Sequence, residues 1–188
     1  MKFALNCGLI LLTAMYPFAI FFGIQHWDIR YLAILLITVA VLRTVTSKIT
    51  THTQQPFKWL WLLGAIALAL WTWLDDSALG VKFYPVLVSL SMLSVFSWSL
   101  WHPPCIIERL ARLRQPNLPS SAIGYTRKVT IVWCLFFSIN ASIATATCFW
   151  GNDKVWALYN GLISYLLMGT LFAGEWVVRL YVQRGINE

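Results

Sequence analysis

Six long apolar stretches divide this chain of 188 residues, and its cations fall almost wholly in alternate gaps between them. The stretches run over residues 3–24, 31–47, 57–74, 83–101, 129–149 and 155–178. A helix crosses the hydrocarbon core of a bilayer with about 20 apolar residues. The chain is 59% hydrophobic and only 11% charged, whereas an ordinary soluble domain carries roughly 25% charged residues. One water-facing core cannot absorb that apolar excess, so lipid is the expected solvent. The pattern predicts an all-α, polytopic membrane helix bundle. It would be a single integral membrane domain over residues 1–188, with six transmembrane helices and one long loop at 102–128.

Orientation follows from counting lysines and arginines gap by gap. Lys2, Arg43, Lys48, Lys58, Arg109, Arg112, Arg114, Arg127, Lys128, Arg179 and Arg184 fall on one side. Only Arg30, Lys82 and Lys154 fall on the other. Cytoplasmic loops carry the positive excess, so both termini are expected in the cytoplasm. Asp28, Asp75, Asp76 and Asp153 lie on the opposite side. The 11 tryptophans gather towards the ends of the stretches, where indole keeps its ring dry and its N–H wet. The second stretch is the weakest. Its continuous apolar part, 31–42, lies between Arg30 and Arg43, and it crosses only if those arginines snorkel. Composition does not fix whether 31–47 crosses fully, but dropping it would break the alternation of charge.

A net charge of +7 would point to nucleic acid in a soluble protein. Here the cations stand at the ends of apolar runs, so anionic lipid is the expected partner and nucleic acid is not. The four cysteines form no C-x-x-C pair, and only Cys148 falls near the predicted outer face, which argues against a disulfide framework. Lys2 ahead of an apolar run resembles a signal peptide. That run is longer than the usual h-region of about 7–15 residues, so it reads as an uncleaved first span, kinked at Pro17.

The gap at 102–128 opens with His102-Pro103-Pro104. Beyond it, Ile106, Ile107, Leu110 and Leu113 share one face at helical spacing, while Glu108, Arg109 and Arg112 project elsewhere. This is the pattern of a short cytoplasmic interfacial helix on the inner leaflet. Its arginines would anchor lipid or, functionally, hold a phosphate or an acyl-carrier partner. His102, Cys105 and Glu108 stand three apart and invite a catalytic or metal reading. The spacing matches no helical zinc motif, and a Cys/His pair would need an orienting group and an oxyanion site. An ordinary loop start is the stronger reading, and no metal is expected. Tyr125, Arg127 and Lys128 then lead into the fifth stretch at headgroup depth, either as a lipid-phosphate clamp or as simple snorkelling side chains.

The last two stretches hold polar atoms that should not face lipid. The fifth carries Ser138, Asn140, Ser142, Thr145 and Thr147, and the sixth carries Tyr159, Asn160, Ser164 and Tyr165. A buried amide needs a partner. Asn140 and Asn160 are therefore expected to face protein or a wet cavity, as glue between helices or as the lining of a substrate groove. Glu175, the only acid inside a stretch, stands four residues before Arg179 on the same face. An acid at the bilayer centre costs about 2.5–3.5 kcal/mol on insertion scales. Glu175 is thus expected near the inner interface, paired with Arg179 or with a cation of the 102–128 loop. Nucleotide-binding, zinc-protease and serine-hydrolase motifs are missing from the sequence. No cofactor is indicated, and the balance favours a role other than enzyme.

Pro103-Pro104, Ile107-Glu108-Arg109-Leu110-Ala111-Arg112, Leu118-Pro119 and Tyr125-Thr126-Arg127-Lys128-Val129-Thr130 stand out together with Trp133, Phe136-Phe137, Asn140, Trp156-Ala157-Leu158-Tyr159-Asn160-Gly161, Ser164-Tyr165 and Glu175. This set resembles a family of bacterial inner-membrane proteins typically encoded beside fatty-acid-synthase-like genes, including those for aryl polyene lipid pigments. The likeness covers roughly the second half of the chain, and no catalytic assignment comes with it. What it implies is context: assembly, membrane handling or export of an acyl product made in the cytoplasm. Membrane lipids, acyl-chain biosynthesis enzymes or acyl carrier protein would be the partners. The expectation is an accessory inner-membrane protein that receives a lipid-like product at the inner leaflet. Tyr125, Arg127, Lys128, Glu175 and Arg179 would meet a headgroup, and Asn140 and Asn160 would line a polar groove. Alternatives are a small transporter or flippase with a mid-membrane cavity, a membrane-bound transferase using residues 102–108, and a purely structural partner. Oligomeric state stays open.

Overall fold

Helix is the only regular structure among the described residues, as apolar runs of this kind require. A helix bonds each backbone N–H and C=O within its own segment and leaves none to the apolar surroundings. The computed structural model of the chain describes residues 19–23, 26–50, 58–75, 78–113, 115–116, 118–150 and 152–187. Helix α1 spans Ile29–Thr50, α2 Lys58–Asp75, α3 Leu79–Lys82, α4 Tyr84–Trp101, α5 Ile106–Arg112, α6 Ser120–Trp150 and α7 Asp153–Leu158. A π-helical turn at Tyr159–Ile163 then passes into α8, Ser164–Asn187.

The breaks have local causes. Pro85 occupies the first turn of α4, where a missing N–H costs nothing. Pro103 and Pro104 disfavour helical geometry before them and end α4. Asn152 caps α7 by accepting the Val155 N–H at 2.9 Å, satisfying one of the donors a helix start leaves open.

Among the described residues, three segments are long and apolar enough to cross a membrane: Leu79–Trp101, Ala122–Trp150 and Asp153–Arg179. They correspond to the fourth, fifth and sixth apolar stretches. Leu62–Asp75, in the third, is apolar but shorter. The 31–47 stretch lies within the unbroken helix α1. Most of the first stretch, with Pro17, lies outside the described residues. The described helices thus give three clear candidates rather than six.

The predicted 102–128 loop is shorter than its sequence suggests. Helix α6 begins at Ser120, nine residues before the predicted start of the fifth stretch, so Tyr125, Arg127 and Lys128 stand on its first turns. At 31 residues it is roughly 46 Å long, well beyond a hydrocarbon core of about 30 Å. Its first turns can therefore stand at headgroup level.

Among the described residues, two apolar clusters hold the helices. One gathers Leu32, Ala33, Leu36 and Ala40 of α1, Ala65 and Ala69 of α2, Val81, Tyr84, Ala144, Cys148 and Trp156. Its alanines let α1 and α2 run close together. Gly80 serves the same end: an added Cβ would come within 2.5 Å of the Leu68 carbonyl on α2. The second cluster centres on Val129, Trp133 and Phe137 of α6, with Leu93 and Phe96 of α4 and Met168 and Leu171 of α8 packed on it. Helices α4 and α6 lie side by side along their length. The main chain of α6 also runs close to α7 and the π turn, then draws apart from α8. Between α6 and α8 lies a wedge-shaped seam, narrow at the π turn and filled further on by packed side chains.

Candidate functional site

The narrow end of the wedge is built from polar side chains on α4, α6 and the π turn. Asn140 donates from Nδ2 to Ser89 Oγ at 3.0 Å, and its Oδ1 accepts the Tyr159 hydroxyl at 3.0 Å. Ser89 gives its own proton to the Pro85 carbonyl at 3.0 Å, so towards Asn140 it must accept, which fixes the amide's orientation. Asn160 lies one level nearer Asp153 and is 2% exposed. Its Nδ2 donates to Thr147 Oγ1 at 3.2 Å and to the Trp156 carbonyl at 2.9 Å. Thr147 commits its proton to the Ala144 carbonyl at 2.7 Å. Both neighbours of Nδ2 are acceptors, so the amide cannot be reversed. Asn160 Oδ1 is buried and has no hydrogen-bond partner among the described residues.

The π turn itself explains why these groups meet. The Ser164 N–H reaches back five residues to the Tyr159 carbonyl, and the Ser164 hydroxyl donates to the Asn160 carbonyl at 3.2 Å. One residue more than an α-helical turn is accommodated, so Tyr159 and Asn160 are both buried. Such single turns recur at functional sites.

At the end of the bundle carrying Asp153, Lys82 Nζ pairs with Asp153 Oδ1 at 2.5 Å. The Lys82 carbonyl accepts Trp156 Nε1 at 3.2 Å and the Cys148 thiol at 3.4 Å. One residue therefore ties α3 to both α6 and α7. Trp156 and Trp133, expected at membrane boundaries, are packed inside the protein, the first with its indole N–H on the Lys82 carbonyl.

At the opposite end the wedge is bridged twice. The Tyr125 hydroxyl donates to the Glu175 carbonyl at 3.3 Å, with the charges of Glu175 and Arg179 both within electrostatic reach of it. The Trp133 and Phe172 rings meet with centroids 4.4 Å apart. The structure thus brings Tyr125, Glu175 and Arg179 together. Arg127 is turned away towards α4, where it donates to the Leu100 carbonyl at 3.0 Å and satisfies an open acceptor at that helix's end. Lys128 is exposed.

The His102, Cys105 and Glu108 side chains have separate roles. His102 is exposed and stacks on Trp98 with centroids 3.9 Å apart. Cys105 is a buried free thiol at the N-cap of α5. Glu108, expected to project outwards, is buried. Arg112, one turn on, donates to its Oε1 from Nε and Nη2 at 2.9 and 2.7 Å, which offsets the cost of taking the carboxylate out of water. Leu110 and Leu113, on the face expected to meet lipid, are exposed beside the protein. Among the described residues no group of three or more His, Cys, Asp or Glu side chains could hold a metal ion.

Sequence reasoning missed the roles of Lys82, Asp153 and Ser89, and named Thr147 only as one of the polar residues of the fifth stretch. Lys82 and Asp153 carried a signal, since they are opposite charges on the same predicted side. Ser89 and Thr147 could not be singled out as partners, because serine and threonine are common in apolar helices and bond their own backbone.

The fold and site together define an all-helical protein with, among the described residues, three helices long and apolar enough to span a membrane and a buried polar network where two of them meet the helix between. The chain matches no protein-family model, no curated protein and no solved structure.

Proposed function

We propose that this is a multi-pass protein of the bacterial inner membrane, with six spans and both termini in the cytoplasm. It receives or positions an acyl-lipid product, such as an aryl polyene, at the inner leaflet. The observation that carries this reading is the wedge between α6 and α8. Its end away from the π turn bears Tyr125, Glu175 and Arg179, with Lys128 exposed one turn on from Tyr125 along α6, and its apolar side chains there are Trp133, Met168 and Phe172. Apolar walls accept a hydrocarbon chain without demanding hydrogen bonds, and a few cations at one end orient an anionic head. The excess of lysine and arginine on this side supports a cytoplasmic position.

The uncovered flank of α8 fits the same reading. Leu166, Phe172, Trp176 and Val178 are all exposed beside the protein, a surface that water would not tolerate but lipid does. Acyl-chain enzymes or an acyl carrier protein would deliver the product to this end. Mass spectrometry of lipid extracts from cells with and without the protein tests the role, and Glu175→Gln and Arg179→Gln test the residues. Altered product levels at normal protein abundance support the assignment, and unchanged levels at normal abundance refute it.

A further inference from the structure

Two arginines from different helices converge on the end of α4. Arg109 of α5 donates from Nε to the Pro104 carbonyl at 2.7 Å and from Nη2 to the His102 carbonyl at 3.4 Å. Arg127 of α6 donates from Nη1 to the Leu100 carbonyl at 3.0 Å. Leu100 and His102 are two residues apart, so their Cα atoms lie within about 7 Å of each other. The two guanidinium groups therefore stand around one short piece of chain.

The carbonyls orient these groups without cancelling their charge. A helix C-terminus carries the equivalent of about half a negative charge, against two full positive ones. Among the described residues neither arginine has a carboxylate partner. Glu108, the residue before Arg109, is buried and taken by Arg112. A guanidinium has five N–H donors, of which Arg109 commits two and Arg127 one to described residues. Both side chains are exposed, so the remaining donors can meet an anion.

The apolar surroundings say which kind of anion. On α5, Leu110 is exposed and Leu113 is 82% exposed. Arg109 and Leu113, four residues apart, share a face. At the end of α4, Trp98 is exposed and Trp101 is 76% exposed. Leucines held out this far are costly in water and stable among acyl chains, and indole favours headgroup depth. A soluble phosphate would answer only the charges, whereas a phospholipid answers charges and apolar surface together.

We propose that Arg109 and Arg127 form a binding site for the phosphate of an anionic phospholipid, whose acyl chains lie beside Trp101, Leu110 and Leu113. A planar guanidinium matches phosphate oxygens through paired N–H bonds, and the carbonyls at Leu100, His102 and Pro104 hold both forks in place beforehand. Tyr125 reaches α8 while Arg127 reaches α4, so this site is separate from the Tyr125, Glu175 and Arg179 group. It needs this end of the bundle to lie in a membrane, but not the acyl-product role proposed above.

Native mass spectrometry of the full-length protein in detergent tests the site, with phosphatidylglycerol and phosphatidylcholine of equal chain length as probes. The wild-type protein is expected to hold its first phosphatidylglycerol at least about tenfold more tightly than phosphatidylcholine. Arg109→Gln and Arg127→Gln should each lower that preference about fivefold. Lys154→Gln, which removes an exposed cation at the opposite end, should leave it unchanged. Arg109→Lys keeps the charge but not the planar fork and should retain part of the preference. No preference in the wild-type protein, or a preference that survives in both glutamine variants, overturns the proposal. Displacement of the lipid by an equal concentration of inorganic phosphate identifies a soluble ligand and overturns it as well. Should a glutamine variant not fold, phosphatidylglycerol with a diazirine in its headgroup decides the matter on the wild-type protein. Adducts within residues 98–113 support the site, and adducts only elsewhere overturn it.

Discussion

Lys82 and Asp153 are 71 residues apart in sequence and 2.5 Å apart in space. Because the Lys82 carbonyl also holds Trp156 and Cys148, this pair anchors α7 at one end of the bundle. Beyond the π turn, α8 meets α6 through the Tyr125–Glu175 hydrogen bond, the Trp133–Phe172 rings and the packing of Met168 and Leu171 on the Trp133 cluster.

The ion pair should contribute modestly. The Lys82 side chain is 12% exposed and that of Asp153 38%, so solvent screens part of the attraction. Asp153→Asn is expected to lower stability by about 1 kcal/mol. Adding Lys82→Met should cost less than the sum of the two single changes, measured by chemical denaturation in detergent.

The Ser89–Asn140–Tyr159 chain gives a sharper contrast. Asn140→Leu leaves the buried Tyr159 hydroxyl without its acceptor and should cost about 1–3 kcal/mol. Pairing it with Tyr159→Phe removes the stranded hydroxyl and should recover part of that loss. A double variant less stable than Asn140→Leu alone would contradict the network.

Glycines separate close packing from open space. At Gly80 a Cβ meets Thr72 and the Leu68 carbonyl, whereas at Gly169 nothing lies within 4 Å. Gly80→Ala should destabilise by about 1–3 kcal/mol through overpacking. Gly169→Ala should stabilise α8 by about 0.5–1 kcal/mol through its helix propensity. Thermal unfolding of the two variants reads the difference.

Residues 102–108 provide a check on the transferase alternative. His102→Ala removes a stacked, exposed ring and Glu108→Gln weakens a pair with Arg112. Neither should change product levels per unit of protein, and Glu108→Gln should cost about 1 kcal/mol of stability. A selective loss of product with normal abundance would restore the catalytic reading.

The helices at 83–101, 129–149 and 155–178 were legible because apolar length is written directly in composition. The extension of α6 back to Ser120 was hidden, since Tyr125, Arg127 and Lys128 read as loop residues when only hydropathy is followed. Asn140 and Asn160 were identified as groups needing partners, because an amide in an apolar span has few other choices. Their partners were not, because which serine or threonine faces which amide depends on helix rotation. The π turn adds a residue to one helical turn and changes that rotation. Glu108 was misplaced for a similar reason: periodicity put it off the apolar face, but Arg112 makes its burial possible.

The most direct test of lipid seating between α6 and α8 is photo-crosslinking in producing cells, with a diazirine amino acid placed singly at Met168 or at Leu166. Met168 packs against the α6 cluster and Leu166 is exposed. Mass spectrometry should find the acyl product enriched in adducts at position 168 and bulk phospholipid at 166. The same bulk phospholipid profile at both positions would contradict it.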